Sequence, residues 1–263
     1  MRIANIQIRV HWTFFLLLLW VAWAELESGS GMAAAAASVV FVVAVFGCVV
    51  LHELGHALTA RAFGIGTRHI TLYPIGGVAA LERMPKEPRQ ELLIAMAGPA
   101  VSFAIAASIA ILQPEQGLLS NLLLINVNLG VFNLLPAFPL DGGRMLRALL
   151  AMRMEWIDAT RVAGQIGQVL AVGLAVLGLY TSWVLVFIGG FVLLAARSET
   201  RSAELEQTMN GARVQDAMLR PASRLWSSDS VQSAADRLLT DEQMDHPVVN
   251  SAGLYFGMVS REA

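Results

Sequence analysis

Long apolar runs recur along this chain, at about residues 12–24, 32–51, 92–112 and 173–196. A bilayer core about 30 Å thick needs about 20 apolar residues in a helix, and most of these runs are of that order. They restrict the chain to an α-helical polytopic membrane protein. Composition agrees: 56% of residues are hydrophobic and 14% charged, against about 25% charged in a soluble domain. The pattern predicts six spans, at about 10–26, 33–58, 91–112, 118–138, 162–179 and 182–197. Beyond about residue 197 the chain turns polar and mixed, as a small soluble domain does.

Charge placement fits that count. Arg2 and Arg9 precede the first span, and Arg61, Arg68, Arg83, Lys86 and Arg89 separate the second from the third. Arg144, Arg147, Arg153 and Arg161 separate the fourth from the fifth, and Arg197 and Arg201 follow the sixth. The other three loops carry no Lys or Arg, but Glu25, Glu27 and Glu115. Basic residues mark cytoplasmic loops, so both termini are expected in the cytoplasm. The N-terminal run lacks a small-x-small site followed by a soluble domain, so it is expected to be a first span rather than a cleaved signal. No basic stretch interleaved with aromatics points to nucleic acid. The single cysteine, Cys48, reads as a small core residue.

Ionisable groups at membrane depth are costly and are functional candidates by default. The second run ends in His52-Glu53-Leu54-Gly55-His56. At about 100° per residue, His52 and His56 lie one turn apart on one helix face. Two imidazole nitrogens there suit one tetrahedral zinc ion, and Glu53 can reach a water beside it without being a ligand. A chance H-E-x-x-H is a weak alternative in an apolar helix, because nothing would offset the cost of these groups in lipid. Catalytic zinc takes three protein ligands, so a third must come from elsewhere. His11, His69 and His246 lie at a span start, in a polar loop and in the tail. Asp141 is the better candidate, since the second and fourth spans both run from outside to inside and bring it to the depth of His52 and His56. Pro136 and Pro139 deny a regular helix before it, and Gly142-Gly143 are expected to relax the backbone after it. The alternative for Asp141 is a helix-end carboxylate facing water.

These residues resemble the site-2 protease family of intramembrane zinc metalloproteases. The likeness rests on H-E-L-G-H at 52–56 and N-L-L-P-A-F-P-L-D-G-G at 133–143, with lesser echoes at Gly76-Gly77 and Gly98-Pro99. It covers about residues 1–200 and looks most like the branch related to the sporulation sigma-factor processing protease. The resemblance implies cleavage of a membrane-anchored protein, such as an anti-sigma or pro-sigma regulator, in or beside its transmembrane segment. It implies one zinc per chain on His52, His56 and Asp141, with Glu53 as general base. Asn133 would hold the substrate or polarise the scissile carbonyl; an interhelical hydrogen bond is its equal alternative. The implied location is a prokaryotic inner membrane, multi-pass. The loop 69–82 alternates in part around Gly76-Gly77 and could form a hairpin whose edge pairs with an extended substrate, matching the family's membrane-dipping β element. An ordinary cytoplasmic turn is the alternative.

After a linker at 201–210, residues 211–263 carry Val214–Met218, a helix-like 230–239 and two strand-like stretches at 247–249 and 254–259. This α+β order looks like one cystathionine-β-synthase (CBS) motif, of a kind that pairs to bind adenine nucleotide. With one copy present, either the chain is truncated or two chains complete the pair, which would make a homo-oligomer. An assembly or stability module is the alternative. The rival functions for the whole chain are a non-catalytic zinc transporter or scaffold, and a zinc hydrolase acting on something other than protein. A transporter would more often spread ionisable groups along a path; here they gather at one depth.

Overall fold

The computed structural model describes residues 2–83, 85, 87–112, 117–209, 213, 223–241 and 243–260. The chain divides into two compact units, Met1–Gln207 and Thr208–Ala263.

The first unit is helical, with one small sheet. Helix α1 (Thr13–Glu27) leads into α2 (Gly31–Ala62), which ends at Phe63 before Gly64, a residue at φ +72° that a side chain would disfavour. Then follow α3 (Pro88–Ile111), with proline at its start, α4 (Leu118–Asn133), the short α5 (Asp141–Ala151), α6 (Trp156–Thr181) and α7 (Trp183–Met209). The protein is an integral membrane protein, and four helices among the described residues are long and apolar enough to cross a bilayer: α2, α3, α6 and α7. The first and fourth expected spans come out shorter. Helices α1 and α4 have 15 and 16 residues, or about 23 Å at 1.5 Å per residue. The apolar run at 10–26 is shortened because Ile6–Val10 is a strand, and the run at 118–138 because the chain leaves the helix after Asn133. The segment expected as a linker is helical through Met209.

The sheet orders its strands β1 (Arg2–Ile3), β2 (Ile6–Val10), β3 (Thr67–Tyr73) and β4 (Gly76–Leu81). The expected hairpin is β3–β4, antiparallel, with Leu72 opposite Gly77 and Ile70 opposite Ala79. Strand β2 runs parallel to β3, Ile8 opposite Ile70, so α1 and α2 form the crossover between them. One face of the sheet packs on α2: Ile6 and Ile70 join Leu54 and Ala57 in a buried cluster. That contact sets β4, an edge strand, beside the H-E-L-G-H turn.

In the second unit β5 (Leu225–Trp226), α8 (Val231–Thr240), β6 (Asp245–Val249) and β7 (Tyr255–Ser260) follow in order. The sheet order is β5-β6-β7, with β5 parallel to β6 and β7 antiparallel to it. The first described strand is thus at Leu225–Trp226; Val214–Met218, expected to open this segment, lies outside the described residues, as do Lys86 and Glu115.

Candidate metal centre

Among the described residues, one group of His, Cys, Asp and Glu brings three donor atoms within reach of a single ion: His52, His56 and Asp141. All three residues are buried, at 3%, 7% and 8% exposure. His52 Nε2 lies 3.2 Å from His56 Nε2, and each nitrogen lies 3.1 Å from Asp141 Oδ2. A tetrahedral ion with bonds of about 2.0–2.1 Å has ligand–ligand edges of about 3.3 Å, so the triangle has the size zinc needs.

The tautomers point the same way. His56 Nδ1 lies 2.7 Å from the carbonyl of Ile94, which only accepts, so Nδ1 carries the proton and Nε2 keeps its lone pair. His52 Nδ1 lies 2.9 Å from Ser102 Oγ, which can accept in the same manner. Two lone pairs and a carboxylate oxygen then converge in a buried space. That is repulsive without a cation at the centre, and it is the donor set of a hydrolytic zinc site. Gly98 completes the fit: a Cβ there would collide with Nε2 of both histidines.

Local sequence explains each position. Gly55, between the histidines, lets α3 approach: a Cβ on it would come 2.8 Å from the Ala97 carbonyl oxygen. From α3 come Gly98, Ser102 and the Ile94 carbonyl, the last beside the turn that Pro99 interrupts. Asp141 opens α5, where the helix N-terminus favours a carboxylate. The segment 134–140 is irregular, as its prolines dictate. Gly142 and Gly143 have a different role from the expected one. They sit inside α5, and a Cβ on Gly143 would come 2.6 Å from Phe138 N, so they permit close packing of α5 on the preceding turn rather than loosening it.

Glu53 is half-buried, facing β4: a Cβ on Gly77 would come 2.8 Å from Glu53 Cγ. Asn133 sits at the end of α4, where its Nδ2 donates to the Leu129 carbonyl at 2.9 Å. His69 lies in β3, and His246 is buried in the second unit, 3.1 Å from Asp241. Ser102 and the Ile94 carbonyl, which hold the two rings from α3, leave no motif in the sequence, whereas Gly98 falls in the Gly98-Pro99 echo.

Comparison with known proteins gives concordant results. The sequence profile of peptidase family M50 matches residues 40–117 and 113–177. A zinc metalloprotease of Methanocaldococcus jannaschii is 35% identical over 261 residues, covering 96% of this chain and 75% of that protein. Stage IV sporulation protein FB of Bacillus subtilis is 30% identical over 119 residues, 43% of this chain and 41% of its own. Among solved structures, the site-2 protease from M. jannaschii superposes with a TM-score of 0.58 at 37% identity, over 76% of this chain and 93% of that one.

Proposed function

The chain belongs to peptidase family M50, and from that premise we propose that it cuts a membrane-anchored protein in or beside its transmembrane segment, with His52, His56 and Asp141 holding the metal and Glu53 as general base. It is a zinc metalloprotease of the site-2 type. The observation that carries the assignment of roles is the triangle of buried donors, 3.1–3.2 Å on a side, with Glu53 on the same helix turn and an edge strand beside it.

Zinc, when bound, supplies Lewis acidity at the reacting carbonyl and acidifies water. Glu53 accepts a proton from the attacking water as the carbon–oxygen bond forms. It passes that proton to the leaving amine nitrogen as the carbon–nitrogen bond breaks. Buried His52 and His56, held by Ser102 and Ile94, keep their Nε2 lone pairs aimed inward throughout. A helical peptide bond is shielded by its own hydrogen bonds, so the substrate must present an extended stretch. The free edge of β4 offers backbone donors and acceptors for it, a few ångströms from Glu53. Asn133 Oδ1 remains available as an acceptor for a substrate N–H while Nδ2 is engaged with Leu129.

The basic residues between α2 and α3, and between α4 and α6, support an orientation with the site near the cytoplasmic face and both termini inside. In that reading α1 and α4, shorter than the hydrocarbon core, are met by a locally thinned bilayer, and they complete six spans in a prokaryotic inner membrane. The likeness to a sporulation protein supports a regulator of transcription, of anti-sigma or pro-sigma type, as substrate. The strand–helix–strand–strand order of residues 225–260 supports a CBS-type motif, with adenine nucleotide as its ligand.

The test is Glu53→Gln in the full-length protein, assayed on a membrane-anchored substrate. Cleavage is expected to fall by at least about 10²–10⁴-fold, the range for loss of a general base, while one zinc per chain is retained. Full activity in that variant would remove the mechanism.

A further inference from the structure

We propose that Arg147 is a positioning residue for Asp141, setting the carboxylate against the two histidines. Helix α5 is only 11 residues long and does not span the membrane, so its rotation and axial shift are fixed by what grips it. Arg147 is 2% exposed. Its Nε donates to Glu91 Oε1 at 2.8 Å, and its Nη2 donates to the same oxygen. Its Nη1 donates to Glu199 Oε1 at 3.3 Å. The guanidinium also packs against the rings of Phe138 and Trp156, 5.1 Å and 4.7 Å from their centroids. One side chain therefore ties α5 to α3, to α7, to the start of α6 and to the turn ahead of Asp141.

The tie to α3 matters most. Glu91 lies one turn before Ile94, whose carbonyl orients His56, on the helix whose Ser102 orients His52. Arg147 thus registers the helix bearing the third ligand against the helix that aims the first two. Asp141 and Arg147 are six residues apart, about 9 Å along the axis, so slip or rotation at one end is carried to the other.

Stability alone is a poor reason for this pair. A buried ion pair can often be replaced by apolar residues of similar volume with no loss, or with a gain. Here Glu91 Oε2 is buried without a hydrogen-bond partner, a cost an apolar pair would not carry. Two donors of the planar guanidinium converging on one Glu91 oxygen fix direction as well as charge, and this accounts for the arrangement.

This inference rests on Asp141 being a zinc ligand, and the experiment separates the two. Full-length protein in detergent is titrated with zinc against a chelator, its cobalt(II) visible spectrum is recorded, and its Tm is measured. Arg147→Met with Glu91→Leu removes both charges, replaces the pair by apolar side chains and is expected to keep the wild-type Tm. It should nevertheless bind zinc about tenfold more weakly, in the range for losing an outer-layer partner, with shifted cobalt bands. Arg147→Lys keeps the charge but not the fork, and serves if the double variant does not fold; it should show the same shift in bands with weakened zinc binding. Wild-type affinity and spectrum in whichever of these variants folds would overturn the inference. Asp141→Ala is the control: if it binds zinc as the wild type does, the ligand set is wrong, whereas if it loses zinc while the Arg147 variants do not, only the positioning role is lost.

Discussion

At the scale of single residues, the site is governed by what is absent as much as by what is present. The His52 and His56 nitrogens have room to converge because Gly98 has no side chain. Gly98→Ala would place a methyl against both Nε2 atoms. Zinc affinity is expected to fall about tenfold or more, with the helices intact by circular dichroism; chelator competition on purified protein measures it, and unchanged affinity would show that α3 does not face the metal. His52, Glu53 and His56 were legible in the sequence because helical periodicity alone puts i and i+4 on one face. The partners behind them were not. Ser102 and the Ile94 carbonyl act from another helix, and a backbone carbonyl leaves no mark in a sequence. Gly142-Gly143 suggest a loosened chain by composition, while the structure uses them for a backbone approach that a Cβ would block.

Among elements, β4 is the one that carries the proposed substrate edge. It is an edge strand, and Gly77 lies over the Glu53 side chain. A Cβ at Gly77 would come 2.8 Å from Glu53 Cγ, so Gly77→Ala must displace the flexible Glu53 side chain rather than the strand. A misplacement of about 1 Å can cost about 10²-fold in rate. The expected result is a kcat lowered to that extent, with zinc content unchanged by metal analysis; an unaltered kcat would place Glu53 away from β4. The hairpin itself was readable from its alternation around Gly76-Gly77. Its partner β2 was hidden, because Val10 merges into the apolar run that becomes α1 and because a parallel pairing across about 60 positions has no local signature. Helix α5 was hidden too. Two prolines and two glycines within eight residues read as a broken segment, yet the prolines end the turn at residue 139 and a helix begins at Asp141.

For the molecule as a whole, apolar runs made the membrane architecture readable without coordinates, and the segregation of Arg and Lys supports an orientation for it. The count was less so, because helix length depends on where strands and turns cut into an apolar run, as at Ile6–Val10 and after Asn133. Orientation has a direct test. With Cys48→Ala as background, Ser28→Cys lies between α1 and α2 and Ser202→Cys near the end of α7, both exposed. An impermeant maleimide on intact cells should label the first and reach the second only after permeabilisation; equal labelling of both from outside would reverse or break the topology. The distance in sequence between the metal donors bears on biogenesis. His52 and Asp141 are 89 positions apart, and α3 and α4 lie between them. A ribosome-bound chain that has inserted α1 and α2 holds two imidazoles and a glutamate, but no third donor and no α3 to aim the rings. Chains are made N-terminal end first, so with Asp141 as the third ligand the proposed metal site is completed only once α5 has been delivered.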